Sequence, residues 1–156
     1  MQIFEPETVV GLQAAGVSVD DLEDMLRGYA EAHLWTHSDE MHEDYDPEVG
    51  GDPMLDATYD MDDIDAGVLT RWHEMLAEFV ASCPLAVRLY RNAEHRGNGQ
   101  WSWAELFGHD FLLTQDRHGA GFWDRGHGEL GEYLTRMVQP YGESDYLWAD
   151  NGRLVA

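Results

Sequence analysis

Apolar side chains recur at intervals of three and four residues in five stretches of the chain, which is the spacing of an amphipathic helix. The predicted helices run over about 19–36, 63–83, 85–91, 102–118 and 128–140. Near the end of the chain, Asn151-Gly152 separates two short apolar segments and predicts a hairpin turn. Residues 1–17 give only a possible edge strand or short helix, because Gly11 and Gly16 interrupt the pattern. We therefore predict an α+β, helix-rich single domain over residues 1–156, with about four to five helices and a small C-terminal antiparallel β-hairpin.

Residues 102–127 are predicted to form the packing centre of this domain. Ser102-x-x-Glu105 is the pattern of a capping box, in which both side chains satisfy backbone donors at a helix start. Gly119 lies just past the apolar stripe, where a helix end favours a residue that tolerates positive φ. Phe122 and Trp123 are interpreted as a short extended segment with both rings directed inward. Burial in the core is expected for most of the tryptophans, namely Trp72, Trp101, Trp103, Trp123 and Trp148.

Acidic residues dominate the composition and are concentrated in the first half of the chain. The net charge is −22, whereas solubility requires a magnitude of only about 2–8. Residues 1–70 contain 19 Asp and Glu against one Arg, a net charge of −18, while residues 71–156 carry −4. Such a field costs stability, so a use for it is expected. A halophilic source would spread the acids evenly, and a plain solvated surface would not need so many uncompensated carboxylates.

The most acidic stretch is a predicted loop over about 38–63. Residues 38–56 contain eight acids and no base, and the prolines and Gly50-Gly51 exclude a regular element. A loop of this length in a compact domain is usually functional or disordered. Met54, Leu55 and Tyr59 are expected to pin it to the core. Together with the preceding helix, it forms an acidic helix and loop region over residues 19–65.

Two stretches in the first half resemble metal sites in composition. His33 and His37 are four apart on one predicted helix and could seed a zinc site with the acids that follow. The alternating acids from 44 to 48 resemble a calcium loop, but Val49 and Leu55 occupy the positions that require glycine and glutamate. We therefore predict no metal site, although calcium could bind loosely to the acidic loop.

His109-Asp110, with His73 upstream and Asp124 downstream, has the composition of a metal-dependent phosphohydrolase. Adjacent helix residues point about 100° apart, so the two side chains are not expected to converge. The simpler interpretation is that one of them braces the glycine turn that follows. The glycines between 119 and 128 lack the lysine of a phosphate loop, and close packing around two aromatic rings explains them better. The sequence predicts no activated nucleophile and no cofactor.

One sequence pattern resembles a known family. His109-Asp-Phe-Leu-Leu-Thr114, followed by His118-Gly-Ala-Gly-Phe-Trp-Asp124, resembles the hallmark of small acidic proteins found in bacteriophages and prophages. Leu55-Asp-Ala-Thr-Tyr59 is similar to a second stretch of that family, and the resemblance covers about residues 20–156. The family has no established activity, so the resemblance implies a phage setting and transfers no catalytic residue. The linker Gln115-Asp116-Arg117 departs from the more basic linker that the family tends to have.

The charge pattern favours electrostatic imitation of nucleic acid. Duplex DNA presents one negative charge per ~1.7 Å of axis, and proteins that grip it use arrays of Lys and Arg. We therefore predict a phage-encoded acidic inhibitor, not an enzyme, that occupies the nucleic-acid site of a host protein such as a defence nuclease or CRISPR effector. No direct nucleic-acid or membrane contact is expected. The predicted contact residues are Asp20, Glu23, Asp24, Asp39, Glu40, Glu43, Asp44, Asp46, Glu48, Asp52, Asp56, Asp60, Asp62, Asp63 and Asp65.

Two alternatives from other classes stay open. One is a small metal-dependent hydrolase that uses His109, Asp110, His118 and Asp124, and the other is an adaptor that binds a partner independently of charge. The single cysteine and the lack of a signal-peptide pattern at the first residues indicate a cytoplasmic protein. The sequence does not predict the oligomeric state.

Overall fold

The computed structural model describes residues 3–95 and 99–156, and within them six α-helices and a two-stranded antiparallel sheet confirm the predicted fold class. The elements are α1 (Pro6–Ala15), α2 (Val19–Thr36), α3 (Ala66–Ser82), α4 (Pro84–Asn92), α5 (Trp103–Asp116), α6 (Glu129–Val138), β1 (Trp148–Asp150) and β2 (Arg153–Val155). Single 3-10 turns lie at Leu55–Ala57, Met61–Asp63, Phe122–Asp124 and Gln139–Tyr141. Each helix in the described ranges is too short or too polar to cross a membrane.

The crossing of α2 and α5 is the centre of the fold. Gly28 and Gly108 let the two backbones touch: a Cβ at Gly28 would collide with the carbonyl oxygen of Glu105, and one at Gly108 with that of Met25. Phe111, on α5, is fully buried beside this crossing and packs edge-on against Tyr29 of α2 at 5.9 Å. The predicted packing centre around α5 therefore depends on two small residues as well as on its large ones.

Of the two options predicted for residues 1–17, the short helix is the one that forms, as α1; residues 1 and 2 lie outside the described residues. Gly11 does not interrupt α1, because it is the contact point with α3: a Cβ there would lie 2.5 Å from the Ala81 side chain. Gly16 ends the helix in the left-handed conformation, at φ 73°. Helical spacing continues through a glycine when the glycine serves close packing rather than a turn.

The other helix boundaries follow the capping signals, with one correction. Ser18 and Asp21 form a complete capping box at the start of α2, and Pro84 separates α3 from α4, as predicted. The long helix does not begin at Asp63, because Asp60 and Asp63 cap a separate 3-10 turn. Asp65 then accepts a hydrogen bond from the Gly67 N–H and caps α3.

The structure of residues 102–127 differs from the prediction at the end of α5, at its start and in the turn that follows. Arg117, rather than Gly119, takes the left-handed position after the helix, at φ 55°. Ser102 caps the start by accepting the Glu105 N–H at 3.1 Å, whereas the Glu105 carboxylate hydrogen-bonds Glu31 across the crossing. Phe122 and Trp123 lie in a 3-10 turn, and Trp123 is 41% exposed while Phe122 is fully buried.

The hairpin forms at the predicted turn. Asn151 and Gly152 both have positive φ, 54° and 81°, which is what a two-residue hairpin loop of this type requires. Leu154 is buried and also pairs in parallel with Ile64, so the hairpin closes the loop before α3. Trp148 on β1 is 46% exposed; of the tryptophans expected in the core only Trp72 is fully buried.

Candidate functional site

The acidic loop, defined here as residues 38–65, is fixed to the rest of the molecule at both ends. Ser38 and Met54 form an antiparallel bridge within the loop, and next to it the Leu55 N–H donates to the carbonyl oxygen of His37, just before the loop, at 2.9 Å. At its far end, the Asp65 N–H donates to the carbonyl oxygen of Leu154 at 2.8 Å. Because both ends are anchored by backbone pairs, the loop presents its side chains from a defined frame.

A second segment, the C-terminal strap (residues 143–147), crosses beside the loop. The Tyr146 hydroxyl donates to the Glu40 carboxylate at 2.5 Å. The Asp145 carboxylate accepts the indole N–H of Trp72 at 2.9 Å, which ties the strap to α3. The strap therefore connects the acidic loop to the core by side-chain bonds that the sequence pattern did not predict.

The predicted contact residues differ in exposure. Asp39 is only 4% exposed, because its carboxylate turns inward and accepts the Met41 N–H at 3.2 Å. It is therefore a structural residue of the loop rather than part of a surface. The half-buried members of the set are Asp24, Asp52, Asp63 and Asp65. The exposed members are Asp20, Glu23, Glu40, Glu43, Asp44, Asp46, Glu48, Asp56, Asp60 and Asp62.

Several of the loop carboxylates shape the loop itself. Asp52 accepts the Asp46 N–H at 3.1 Å, and Asp46 accepts the Glu48 N–H at 2.9 Å. Asp60 accepts the Asp62 N–H at 2.9 Å. Four exposed loop acids make no side-chain hydrogen bond or ion pair within the described ranges, and these are Glu43, Glu48, Asp56 and Asp62. These four are the carboxylates most free to meet a partner.

Ion pairs barely neutralise the acidic loop. Within residues 3–95 and 99–156, its one ion pair joins His42 and Asp44 at 3.9 Å. Arg153 donates to the Ile64 carbonyl oxygen at 3.0 Å, but no described arginine forms an ion pair with a loop carboxylate. The hydrogen bond to Glu40, together with its negative charge, raises the pKa of the Tyr146 hydroxyl. The basic residues in the described ranges therefore leave most of the negative charge of the loop unneutralised.

The predicted contact set falls into two groups at opposite ends of α2. Asp20, Glu23 and Asp24 lie in the first turns of this helix, and the acidic loop begins directly after its last residue. A helix of 18 residues is about 27 Å long. Between the two groups lie Arg27, paired with Asp24 at 3.3 Å, and the half-buried Glu31. The exposed acids of the loop therefore form one surface, and those at the start of α2 form another.

A cleft of about 350 Å³ lies where the strap meets the ends of α2 and α5. Ser144 donates to the Asp116 carboxylate from its backbone N–H at 2.8 Å and from its hydroxyl at 2.5 Å. The His37 Nε2 atom lies 3.2 Å from the same carboxylate. The His33 Nε2 atom lies 2.7 Å from the carbonyl oxygen of Asp145. These bonds hold the strap on the core.

The charges in this cleft follow from its contacts. Burial opposes ionisation of Asp116, but hydrogen bonds from His37 and Ser144 outweigh it and lower the pKa of Asp116 to about 2. Burial also opposes the charge on His37, yet its bonds to Asp116 and to the His33 carbonyl raise the pKa of His37. Burial, with the neighbouring His37, lowers the pKa of His33 to about 4. The contacts thus favour the charged form of His37 beside the Asp116 carboxylate, and its ring stacks on the neutral imidazole of His33.

The cleft does not have the arrangement of a serine hydrolase. His37 Nδ1 lies 2.8 Å from the His33 carbonyl oxygen, so the other ring nitrogen faces both Asp116 and Ser144. In a catalytic triad the histidine separates serine from the acid. Here the Ser144 hydroxyl donates directly to Asp116, so its proton is not directed at the histidine. The arrangement is suited to holding the strap, not to activating a nucleophile.

The residues of the predicted hydrolase alternative are not brought together. Asp110 is fully buried and accepts hydrogen bonds from the Tyr90 hydroxyl and the Arg125 Nε, both at 2.9 Å. His109 is buried on another side of α5 and packs against Trp35, 4.6 Å between ring centroids. His118 and Asp124 are exposed. Asp110 therefore braces the turn after α5, as the simpler interpretation predicted.

Metal and phosphate chemistry find no support in the side-chain geometry. In the part of the chain that the structure describes, no three of His, Cys, Asp or Glu gather closely enough to hold a metal ion. His33 and His37 stack at 3.9 Å, with ring nitrogens of both bonded to protein atoms. Gly121 is required by close packing, because a Cβ there would lie 2.5 Å from the Thr114 hydroxyl.

Comparison with protein-family models, with curated proteins and with solved structures finds no match to this chain. The structure shows what several residues of the sequence pattern over 109–114 and 118–124 do in this chain. Asp110 holds Arg125, and the Thr114 hydroxyl accepts the Phe122 N–H at 3.0 Å. Both contacts join α5 to the turn that follows it. The pattern therefore builds the scaffold on which the strap and the loop are mounted.

Sequence analysis missed the contribution of the strap. Ser144 and Asp116 are 28 residues apart and follow no periodic pattern, so only the folded chain brings them together. The one available signal was the acidic composition of residues 143–150, which continues the charge of the loop on a neighbouring segment.

Proposed function

We propose that this chain is an acidic inhibitor that binds a host nucleic-acid-binding protein and excludes its nucleic acid. The contact surface in this proposal is the acidic loop, residues 38–65, together with the strap beside it. A phage origin and action in the cytoplasm of the infected cell belong to the same proposal and rest on the sequence pattern. The partner class is a protein with an arginine- or lysine-lined groove, such as a defence nuclease or a CRISPR effector.

One observation supports this proposal above the others: the loop is anchored by backbone pairs, yet four of its eight exposed carboxylates make no side-chain hydrogen bond or ion pair in the described ranges. Carboxylates that bind each other's backbone, such as Asp46 and Asp52, fix the shape of the loop. Carboxylates without intramolecular partners, such as Glu43, Glu48 and Asp56, remain available to cations of a partner. A fixed array of negative charges binds a groove with less loss of conformational entropy than a flexible acidic tail does.

The geometry narrows the predicted set of contact residues. Asp39 is buried, and Asp20, Glu23 and Asp24 lie about 18–24 Å along α2 from Thr36, the residue at which the helix ends. We therefore restrict the proposed contact surface to the exposed acids from Glu40 to Asp62. Opposite charges on the two partners would speed their association and make the affinity depend strongly on salt.

The proposal is tested by exchanging charge at sites that the fold does not use. The variant Glu43→Lys/Glu48→Lys/Asp56→Lys reverses three exposed loop acids without removing a described hydrogen bond. The control Glu78→Lys/Glu94→Lys/Glu132→Lys changes the net charge equally, but on exposed sites of α3, α6 and the segment after α4. Each immobilised protein is exposed to a bacterial lysate at low salt, and the bound proteins are eluted by a salt gradient and then by duplex DNA.

The proposal requires that duplex DNA releases nucleic-acid-binding proteins from the native chain and from the control. The loop variant should lose at least about 90% of that capture, and such a tenfold change in affinity corresponds to about 1.4 kcal/mol. Equal capture by the loop variant and the control would overturn the assignment of the surface. Capture that persists through the salt gradient would favour an adaptor that binds independently of charge.

A further inference from the structure

A cavity lies at the amino-terminal end of α2, the end opposite to the start of the acidic loop. It has a volume of about 640 Å³ and is formed by α1, the turn before α2, the first residues of α2, and His73 of α3. Cavities that bind small molecules typically have volumes of about 300–1,000 Å³ and mostly apolar walls. The size of this cavity therefore suits a small organic ligand.

The walls of the cavity are apolar. Leu22 and Val17 close its interior and are 2% and 7% exposed, respectively. Phe4 and Leu12 are half-buried and line its sides, and Val9 lies at its mouth with 40% of its surface exposed. Burying apolar ligand surface against such walls contributes about 25 cal/mol per Å². The interior thus favours a ligand with an apolar body.

The polar part of the lining carries one negative charge. Glu23 is the one acidic residue that lines the cavity, and no arginine of the described chain does so. His73 stacks obliquely on Phe4 at 5.3 Å, and burial lowers the pKa of its imidazole, which keeps it neutral at neutral pH. Residues 1–37, which supply most of the lining, contain seven acids against one arginine, a net charge of −6, which disfavours an anionic ligand. The negative charge of Glu23 therefore favours a ligand whose cationic group lies at the rim of the cavity.

We propose that this cavity binds a small amphiphilic cation, with the apolar body inside and the ammonium group beside Glu23. The site is independent of the proposed function, because it is separated from the acidic loop by the length of α2. No aromatic cage or metal is needed, since the apolar walls supply affinity and the single carboxylate supplies the preference for a cation. A ligand with the same tail and a carboxylate head should be rejected.

Three probes with one tail test the proposal: n-octylamine, 1-octanol and octanoate. Binding is measured by titration of ¹⁵N-labelled protein in NMR spectra, at about 0.5 M NaCl, where the Debye length is only about 4 Å and unspecific attraction to the acidic surface is weak. The variant Val9→Trp fills the mouth of the cavity, and Val10→Trp is its matched control on the exposed side of α1. Glu23→Gln removes the selecting charge, with Glu7→Gln as its control.

The amine should shift signals of the cavity residues and bind at least about tenfold tighter than octanoate. Val9→Trp should abolish these shifts while Val10→Trp retains them, and Glu23→Gln should remove most of the preference for the amine. Three results would each overturn the proposal: no localised shifts with any probe, equal affinity for amine and octanoate, or unchanged binding in Val9→Trp. Spectra of each unliganded variant establish that it is folded.

Discussion

Replacing Asp116 with asparagine should detach the strap from the core at a cost set by the pKa of this carboxyl group. The Asp116 side chain is 10% exposed, and its pKa lies at about 2 instead of the ordinary 3.8, because the hydrogen bonds of His37 and Ser144 outweigh its burial. At about 1.4 kcal/mol per pKa unit, the carboxylate contributes about 2 kcal/mol to folding at neutral pH. This value includes both hydrogen bonds from Ser144 as well as the pairing with His37.

The sign of the pH dependence follows from the direction of each shift. The lowered pKa of Asp116 means that its contribution is complete above about pH 4 and is lost as the pH falls through about 2. The raised pKa of His37 means that its contribution is complete below its ordinary value of 6.5 and is lost as the pH rises through its value in the folded state. The pair is therefore strongest in the window between about pH 4 and 6.5.

Urea denaturation of native protein and Asp116→Asn at pH 6 and at pH 2.5 measures this contribution. We expect Asp116→Asn to lower the free energy of unfolding by about 2 kcal/mol at pH 6 and by well under half of that at pH 2.5. Asp124→Asn, an exposed carboxylate in the turn after α5, is the control and should cost less than about 0.5 kcal/mol. A cost at pH 6 no larger than that of the control, or an equal cost at both pH values, would refute the assigned role of Asp116. Amide exchange in the strap should rise in the same variant.

Three further changes test the packing of the scaffold. Gly108→Ala should destabilise the protein by at least about 2 kcal/mol in urea, because its methyl group would collide with the Met25 carbonyl oxygen; a neutral result would contradict the close crossing. Arg125→Gln should cost about 3 kcal/mol, since Asp110 would stay buried without its guanidinium partner, and the double variant with Asp110→Asn should cost less than the sum of the two single changes. Burial and the neighbouring Glu105 raise the pKa of Glu31 to about 7, so the stability of the protein should fall as the pH rises from about 4.5 through 7. Glu31→Gln should flatten this pH dependence and stabilise the protein by about 1 kcal/mol at pH 8. A melting temperature at pH 8 that the substitution leaves unchanged would contradict this prediction.

Local patterns predicted most of the elements, because helix periodicity and caps depend on residues close in sequence. Ser18 and Asp21, Pro84 and Asn151-Gly152 each mark a boundary through their own backbone chemistry. For residues 1–17 the pattern left a strand and a short helix open, because Gly11 serves a contact with Ala81 that no local pattern reports. The same holds for Trp123, whose exposure depends on a 3-10 turn rather than an extended segment.

The candidate surface was predictable in composition but not in arrangement. Counting charges located the acidic residues, yet a count does not distinguish Asp39, which is buried as a turn residue, from Glu43, which is exposed. Nor does it show that Glu23 lies about 20 Å along α2 from Thr36, where the helix ends and the loop follows. The strap was missed because the bond between Ser144 and Asp116 depends entirely on tertiary structure.

The most direct test of the central claim is the salt dependence of inhibition once a partner has been recovered by displacement with duplex DNA. Competition between this protein and labelled duplex for the partner is measured from about 50 to 200 mM salt, the range over which contacts to a polyanion weaken steeply. The account predicts that inhibition weakens with salt and that Glu43→Lys/Glu48→Lys/Asp56→Lys weakens it at every salt concentration and flattens its salt dependence. Inhibition of equal strength across this range, with the three reversals having no effect, would contradict it.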